Sequence, residues 1–420
     1  MPATPPLTIR NSTTSWPPTG AAAQLSTRPC HHDDEKTGRG ARSRGCAGAA
    51  RVHALDLLGA VLKALVTRTG IDPRTVGQVI GGCVGQIGMQ SMNVTRSAWL
   101  SAGLPLEVPS TTVDAQCGSS QQASTLAYSL IAAGVVEVAV ACGVEIMNKV
   151  PLGSTTPKDP DVGKPINRGY WKHYEYTTQF EGAERMAERS GISRAGADAF
   201  GLLSQERSAA ALRDGRFASQ LVPIEVPERG PDGTNLGTTV LFERDEAPRP
   251  STLEGLARLK PTGRPNGVHT AGTSSQIADG AAALLLMSRD RAEALGVTPL
   301  ATVVDACLVG CDPVLMLEGP IPATRKLLGD NGLSMGDVDV VEINEAFASV
   351  VLAWDQEVKA DMSRVNTNGG AIALGHPIGA TGVVLITKAV HELARSNGEH
   401  ALVTMCCGGG LSTGTLLRRG

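Results

Sequence analysis

Residues 114–143, DAQCGSSQQASTLAYSLIAAGVVEVAVACG, pass from a small-residue turn through a helical stretch into a β-rich run. The helical stretch covers residues 123–133, and the run at 135–143 is apolar enough for a buried strand. Strands and helices that alternate in this way favour a mostly parallel sheet with helices on both faces. This segment therefore predicts an α/β protein.

A second segment near the C-terminus has the same order of elements. A glycine-rich turn around His376 leads into a helical stretch at 383–394 and then into a strand at 401–405 that Cys406 follows. A duplicated α/β unit would place this turn beside the one around Cys117. Two unrelated α/β units would show the same pattern, so both explanations stay open at this point.

The rest of the chain divides by composition. Residues 54–65 have apolar residues at helical spacing, and residues 76–84 are typical of a buried strand. Residues 151–269 are more polar and predict an inserted lobe, after which the α/β pattern returns at 280–287.

Composition excludes several classes of protein. The 420 residues suffice for about two or three domains. The chain has 38 Lys and Arg against 41 Asp and Glu, a net charge of −3. This balance lacks the excess of positive charge that binds nucleic acid or an anionic membrane. No apolar run approaches the roughly 18–20 residues that span a bilayer. Nine cysteines without a dense framework predict reduced thiols and a cytoplasmic protein.

Residues 1–51 differ from the remainder. Residues 1–32 contain no acidic residue, six prolines and no apolar stretch suited to a signal peptide, and residues 36–51 are basic and rich in Gly and Ala. A disordered extension, a transit peptide and a mis-called gene start are the open explanations. The pair His31 and His32 belongs to this segment and is not expected to bind metal.

Two segments carry candidate catalytic groups. Cys117 precedes a helix of small residues, whose N-terminal dipole favours a thiolate, although a single cysteine is commonly just a small buried side chain. His376 lies in residues 366–382, NTNGGAIALGHPIGATG, where five glycines allow close approach of substrate. His376 could serve as general base for a thiol, or could be an ordinary turn histidine.

Two further segments add polar groups at strand ends. Glycines in 406–410, CCGGG, free backbone N–H groups for an oxyanion, or form a plain turn. Asn344 and Glu345 end an apolar strand, where ligand-binding groups collect, or act as caps. Cys307 and Cys311 have the wrong spacing for zinc. A GxGxxG fingerprint and a P-loop are lacking, so NAD and ATP chemistry have no sequence support.

Together these segments resemble the thiolases, the acyl-CoA:acetyl-CoA C-acyltransferases. The matching blocks, in order, are 114–123, 344–347, 366–382 and 406–410, with weaker matches at 143–147, 204–207 and 269–283. The resemblance covers residue 52 to the C-terminus. It implies a thiolase fold with two pseudo-equivalent α/β halves, each with a mixed five-stranded sheet, in an α-β-α-β-α layering with an inserted loop domain.

The resemblance also implies domain limits. Residues 52–150 and 270–288 would form the N-terminal half, 151–269 the CoA-binding loop domain, and 289–420 the C-terminal half. Residues 1–51 would be atypical, because thiolases open with a central strand and a Thr-Pro turn that this segment lacks. We interpret the segment as the product of a frameshift or a mis-called start.

Roles follow from the same resemblance. Cys117 would be the acylated nucleophile, and His376 would take its proton and stabilise the thioester oxygen with a water held by Asn344. Cys406 would protonate the departing acetyl-CoA carbanion, and the N–H groups of Cys117 and Gly408 would form a second oxyanion hole. Cys406 is preferred over Cys407, which occupies a variable position. The reaction needs no metal or redox cofactor, because CoA is a substrate.

The substrate branch and the partners are further implications. Ser275 would contact the pantetheine arm, although Gln276 stands where many thiolases have glycine. Residues 178–180, TQF, replace the His-Met-Gly run of acetoacetyl-CoA thiolases, and several motifs are similar to actinobacterial thiolases of sterol or fatty-acyl degradation. The expected partners are acyl-CoA, CoA and copies of the chain in a homodimer or homotetramer. Alternatives are a biosynthetic acetoacetyl-CoA thiolase, a ketoacyl synthase-like enzyme and a non-catalytic acyl-CoA-binding protein.

Overall fold

A computed structural model describes residues 52–157, 159–229 and 234–420. The predictions for residues 1–51 therefore lie outside the described residues. The helices are α1 Ala54–Thr69, α2 Val94–Ser101, α3 Ser119–Ala132, α4 Gln179–Arg189, α5 Arg194–Arg213, α6 Leu253–Ala257, α7 Arg289–Leu295, α8 Pro320–Asp330, α9 Ala348–Val358, α10 Ala371–Leu374 and α11 Thr381–Ser396. The strands are β1 Gln78–Gly82, β2 Ser110–Val113, β3 Val138–Ile146, β4 Ile224–Arg229, β5 Asn235–Phe242, β6 Asp279–Met287, β7 Ala301–Gly310, β8 Val340–Ile343, β9 His400–Cys407 and β10 Leu411–Arg419.

Local signals explain the limits of the first helix. The His53 side chain accepts a hydrogen bond from the Leu55 N–H and caps the start of α1. Gly70 has a φ of 67° and ends the helix, since only glycine adopts that conformation without strain. Leu58 and Leu62 lie on the buried face that packs against the N-terminal sheet. The helix predicted at 54–65 is confirmed and extends four residues further.

The described strands outside the β4–β5 hairpin form two mixed sheets. The N-terminal sheet has the order β2-β1-β3-β6, in which only β6 runs antiparallel to its neighbour. The C-terminal sheet has the order β7-β10-β9-β8, in which only β8 and β9 are parallel. The expectation of mostly parallel pairing is wrong for this second sheet. The pairing is mostly antiparallel because the short turn 408–410 can join β9 and β10 only as antiparallel neighbours.

Each sheet has four strands in the described part of the chain, where five were expected. In the C-terminal sheet the fifth position is reduced to one parallel bridge between Val341 and Val365. The next residue, Asn366, has a φ of 46°, which takes the chain out of the β region and ends the pairing. In the N-terminal sheet, no described strand lies beyond β6.

The layering is α-β-α-β-α. Helices α1 and α2 cover the outer face of the N-terminal sheet, and α8 and α9 cover that of the C-terminal sheet. Helices α3 and α11 lie between the sheets and touch each other where a Cβ on Gly382 would overlap the backbone nitrogen of Gln121. The duplicated α/β unit is thereby confirmed, with α3 and α11 as equivalent central helices.

The polar middle of the chain packs over one side of these layers. It contains α4, α5, α6 and the β4–β5 hairpin, and β6 then returns to the N-terminal sheet. The lobe limits at 151–269 stay a prediction.

Candidate active site

Cys117 lies in a strained turn between β2 and α3. Gln116 has a φ of 53°, and its N–H donates a hydrogen bond of 2.7 Å to the Asp114 carboxylate. The Ser119 hydroxyl accepts from the Ala115 N–H at 3.0 Å and donates to the Gln116 carbonyl at 2.6 Å. These bonds hold a non-glycine residue in the left-handed region and present half-buried Cys117 at the start of α3.

The Cys117 thiol is neutral in the resting protein. Burial raises its pKa to about 11, although the backbone N–H groups of Gly408 and of Cys117 itself act in the opposite direction. The expectation that the helix dipole would favour a thiolate is therefore wrong, because desolvation outweighs the N–H groups. The same two N–H groups point at the sulfur, as the predicted oxyanion hole requires.

His376 is buried in one defined tautomer. Its Nδ1 lies 2.7 Å from the Thr381 hydroxyl, which donates its own hydrogen to the Pro377 carbonyl at 2.9 Å. Thr381 must therefore accept from Nδ1–H, which leaves Nε2 unprotonated, with a lone pair that the Asn344 amide approaches at 3.4 Å. Burial lowers the pKa of His376 to about 4, so the imidazole is neutral at physiological pH. It is equipped to accept a proton at Nε2.

Asn344 joins this imidazole at the end of β8. Its N–H donates to the Thr404 carbonyl at 3.1 Å, and its Nδ2 lies 3.4 Å from His376 Nε2. Its Oδ1 is buried and accepts no hydrogen bond within the described residues. That oxygen can accept a bond from a substrate or a water, because an unpaired buried acceptor is costly.

Cys406 brings a second buried thiol to the site from the end of β9. Its pKa lies well above the usual value because of burial, and the nearby Cys117 contributes to the shift. Cys407 packs against Gly118, since a Cβ there would lie 2.7 Å from its Sγ, and the pKa of Cys407 is raised by burial and by the nearby Cys117. Cys407 therefore packs behind the turn of Cys117.

The two predicted turns meet between the central helices. A Cβ on Gly82 would overlap the Ser120 backbone nitrogen and would lie only 2.6 Å from the Gly379 carbonyl oxygen, so both turns approach Gly82. The Val383 N–H donates to the Ser120 hydroxyl at 3.1 Å. The expectation that duplication would place the turns around Cys117 and His376 side by side is confirmed.

A buried carboxylate that sequence reasoning left without a role ties both turns together. Glu145 accepts hydrogen bonds from the N–H groups of Val84, Gly85 and Gly379 at 2.9, 3.0 and 3.1 Å, and one from the Gln90 amide at 2.6 Å. Burial raises the pKa of Glu145, and the four donors oppose that shift. No local signal reveals this role, because Gly379 is 234 residues away in the chain.

A second buried carboxylate supports the glycine-rich segment. Glu345 accepts from the Ser204 hydroxyl at 2.6 Å, the Asn366 amide at 2.9 Å and the Ile372 N–H at 3.2 Å. Burial raises its pKa, and these donors oppose the shift. It thus connects α5 to the turn that carries His376.

Ser275 lies beside this site, half-buried. Its N–H donates to the Ala346 carbonyl at 2.9 Å. The following Gln276 accepts from the His376 N–H at 2.9 Å through its carbonyl, and its side chain bonds the Ile372 carbonyl at 2.8 Å and Arg249 at 2.7 Å. The Gln276 side chain, at the position where the resemblance implies glycine, therefore links the middle lobe to the turn that carries His376.

Residues 52–157, 159–229 and 234–420 contain no cluster of three metal-ligating side chains. None of their helices is long and apolar enough to cross a bilayer.

Known proteins are similar to this chain over about nine-tenths of its length or more. Family models described as thiolase N-terminal domain and thiolase C-terminal domain match residues 37–290 and 297–419. The steroid 3-ketoacyl-CoA thiolase FadA6 of Mycobacterium tuberculosis is 44% identical over 393 residues, 92% of this chain and 93% of that protein. A beta-ketoadipyl-CoA thiolase of Acinetobacter baylyi is 40% identical over 391 residues, 90% and 96% of the two chains. The crystal structure of the Bacillus anthracis acetyl-CoA acetyltransferase has a TM-score of 0.83 at 34% identity, covering 96% of this chain and 98% of that one.

Proposed function

This chain belongs to the thiolase family and is an acyltransferase, and we propose that it cleaves 3-ketoacyl-CoA with CoA through an acyl group carried on Cys117. The observation that carries this assignment of residues is the contact between the turns of Cys117 and His376, whose side chains are both neutral. One buried thiol faces two backbone N–H groups, and one buried imidazole is unprotonated at Nε2, which the Asn344 amide approaches at 3.4 Å. The Val383 N–H donates to the Ser120 hydroxyl, so the turn that carries this thiol packs against the turn that carries this base, as nucleophilic catalysis requires.

The first half-reaction uses both thiols. The Cys117 proton moves to His376 Nε2 as the sulfur attacks the C3 ketone carbon, and the N–H groups of Cys117 and Gly408 receive the developing oxyanion. The C2–C3 bond then breaks, and its electron pair leaves on the acetyl-CoA fragment as an enolate. Asn344 and His376 stabilise the thioester oxygen of this enolate, and the Cys406 thiol protonates its C2 carbon to give acetyl-CoA.

The second half-reaction returns the enzyme to its starting state. The Cys406 thiolate takes the proton of the incoming CoA thiol, and the CoA sulfur attacks the acyl thioester on Cys117. The carbonyl oxygen of the acyl thioester again lies at the N–H groups of Cys117 and Gly408. The bond between the acyl group and the Cys117 sulfur then breaks, the shortened acyl-CoA is released, and the sulfur recovers its proton from His376. The scheme is ping-pong and uses CoA as a substrate without another cofactor.

A thiolysis assay with mass spectrometry tests this scheme. CoA-dependent loss of the 3-ketoacyl-CoA enolate absorbance should vanish in Cys117→Ala and fall steeply in Cys406→Ala. Incubation of the native protein with substrate and no CoA should leave the acyl mass on the peptide that contains Cys117. Turnover that persists in Cys117→Ala would refute the mechanism, and a native protein that binds acyl-CoA without acylation would be a binding protein.

An exposed aromatic group in the segment before α4 favours a bulky acyl chain. Trp171, Tyr174 and Tyr176 are 56%, 50% and 51% exposed, in a chain with only thirteen aromatic residues. The next residue, Thr177, is buried and donates a 2.8 Å hydrogen bond to the Val314 carbonyl. The loop that contains Val314 also contacts Gly410 in the turn after β9, since a Cβ on Gly410 would lie 2.8 Å from the Pro313 Cα.

We propose that this aromatic group contacts the far end of a large apolar 3-ketoacyl chain, as exposed apolar patches mark binding sites. The name of the steroid thiolase from M. tuberculosis agrees with that size class. Removing the rings in Trp171→Ala and Tyr174→Ala should lower kcat/KM for a polycyclic 3-ketoacyl-CoA by about tenfold, while acetoacetyl-CoA changes less than about twofold. Equal losses for both substrates would contradict the proposal.

Assembly and compartment belong to the same proposal. We propose a homodimer or homotetramer, to be measured by light scattering, and a reducing compartment such as the cytoplasm. The seven described cysteines are free thiols, which agrees with such a compartment.

A further inference from the structure

A buried ion pair joins α11 to β8 and has no part in the mechanism above. The Lys388 ammonium in α11 lies 2.7 Å from a carboxylate oxygen of Glu342 in β8, and the two side chains are 3% and 0% exposed. Both charges have left water, which costs free energy that their attraction does not always recover. A role in fixing geometry explains such a pair better than a gain in stability does.

The ion pair lies next to the contact between Asn344 and His376. Glu342 and Asn344 are two residues apart at the end of β8, so their side chains share one face at a spacing of about 7 Å. Thr381, which holds His376, and Lys388 are seven residues apart in α11 and share one helix face. The two elements thus meet at Asn344 Nδ2 with His376 Nε2, 3.4 Å apart, and again at the ion pair. The ion pair therefore controls the spacing at the neighbouring contact.

Lys388 also holds the segment that leads to His376. Its Nζ donates to the Gly369 carbonyl at 2.6 Å. Gly369 has a φ of 76°, and a Cβ on it would lie 2.8 Å from the Ser208 Cβ, so this segment is pressed against α5. One ammonium group therefore joins α11, β8 and the chain that enters the catalytic turn.

The Glu342 carboxylate relies on Lys388 for its charge. Its Oε2 accepts the bond from Lys388, and its Oε1 accepts no hydrogen bond within the described residues. Burial raises the pKa of Glu342 and Lys388 opposes that rise, whereas the neighbouring Glu345 and Glu392 add to it. Removal of Lys388 alone would leave a buried acid without a partner, which by itself destabilises a fold. Both partners must therefore be replaced together to separate position from stability.

We propose that Lys388 is a positioning residue, whose ammonium group sets the distance between the Asn344 amide and the His376 imidazole by joining α11 to β8. This inference rests on the proposed function, in which Asn344 and His376 stabilise the enolate oxygen. A displacement of about 1 Å at such groups can cost about a hundredfold in rate. Because the Lys388 side chain is buried and bonded to Glu342 and Gly369, the loss should appear in kcat and leave KM unchanged.

Replacement of both partners tests this role. Lys388→Met alone should lower the urea midpoint, because Glu342 stays buried without a partner. Lys388→Met combined with Glu342→Met puts apolar side chains of similar length in place of the pair, and this double variant should regain the midpoint. Its kcat should nevertheless remain at least about tenfold below the native value at unchanged KM.

Lys326→Met in α8 is the matched control. Lys326 lies 2.6 Å from Asp330, but these two side chains are 52% and 53% exposed. An exposed pair contributes little, so the urea midpoint and kcat of this variant should equal those of the native protein.

Hydrogen exchange adds a readout that needs no turnover. Amides 369–376 should exchange at least about fivefold faster in the double variant, because this segment loses its bond to α11. Amides of α1 should exchange at the native rate in the same sample. A native protein without turnover would count against the proposed thiolysis, while exchange would still report whether Lys388 holds the catalytic turn.

Four results would overturn the proposal. Recovery of kcat together with the midpoint in the double variant would show that the pair serves stability alone. A double variant as unstable as Lys388→Met would assign the loss of rate to folding, and a rise in KM of equal size would assign it to binding. Native exchange at amides 369–376 in the double variant would show that the segment needs no ammonium group.

Discussion

Burial sets the protonation states of the two central catalytic groups. It raises the pKa of Cys117 to about 11 and lowers that of His376 to about 4, so between these values the resting pair is a neutral thiol and a neutral imidazole. The negative charge then develops on the sulfur only as the proton moves to Nε2. The two backbone N–H groups at the sulfur can therefore act on the oxyanion rather than on a resting thiolate.

Alkylation of Cys117 should report this state. Because its pKa is raised, the thiolate fraction is small at pH 7, and the rate with iodoacetamide should rise about tenfold per pH unit between pH 7 and 10. Mass spectrometry of the labelled peptide gives the rate, and Cys117→Ser identifies the background. A rate that levels off near pH 7 would show a stabilised thiolate instead.

Thr381 should position the imidazole without touching substrate. Thr381→Val removes the acceptor of the His376 Nδ1–H, so the tautomer with an unprotonated Nε2 is no longer favoured. We expect kcat to fall roughly tenfold or more at unchanged KM, since general base catalysis contributes about 10²–10⁴. Thr387→Val in the same helix, whose hydroxyl bonds only the Val383 carbonyl, is the matched control. A parallel rise in KM would instead indicate a distorted binding site.

At the scale of elements, the close contact of α3 with α11 brings the two catalytic turns together. The helices carry Cys117 and His376 just before their first residues, and they approach closely because Gly382 has no side chain against Gln121. Any Cβ at that position would force the helices apart. The contact is thus a condition for the catalytic pair as well as for the central layer.

Gly382→Ala should therefore damage both folding and activity. Overpacking in a filled interior costs about 1–3 kcal/mol of unfolding free energy, and the displaced helices should lower kcat. Gly329→Ala in α8 is the control, because a Cβ there meets nothing within 4 Å. Urea unfolding and the thiolysis assay should leave the control near the native protein. Equal behaviour of the two variants would show that the helix contact has room for a methyl group.

At the scale of the whole molecule, buried polar groups join the two halves. Glu145 in β3 holds Gly379 of the opposite half, and Gln121 in α3 donates to the Val403 carbonyl and the Thr415 hydroxyl at 3.0 and 2.9 Å. Thr413 returns a bond of 2.7 Å to the same amide. The halves therefore share one polar interface and should unfold together.

Glu145→Gln should weaken this junction. The new amide group places donors against backbone N–H groups, and such unsatisfied buried groups cost about 1–3 kcal/mol. A lower urea midpoint with a single transition is expected, while the exposed Glu137→Gln should leave the midpoint unchanged. Two separate transitions in the native protein would show that the halves unfold independently.

Much of the local structure was predictable from periodicity and turn residues. Helices α1, α3 and α11 were predicted within a few residues, since an amphipathic pattern and terminal glycines are local properties. Strands β7 and β10 were not assigned in advance, because their partly polar sequences become strands only through pairing. The fifth strand of the C-terminal sheet was expected and is only a bridge at Val365.

The sequence by itself determined the α/β class and the order of turn, helix and strand around Cys117 and around His376, and its resemblance to the thiolases named the candidate catalytic side chains, because each depends on residues close together in the chain. Only the tertiary structure decided the protonation of Cys117, the tautomer of His376 and the roles of Thr381 and Glu145. Those properties depend on desolvation and on partners far apart in the chain, and both arise only when the two halves pack around α3 and α11.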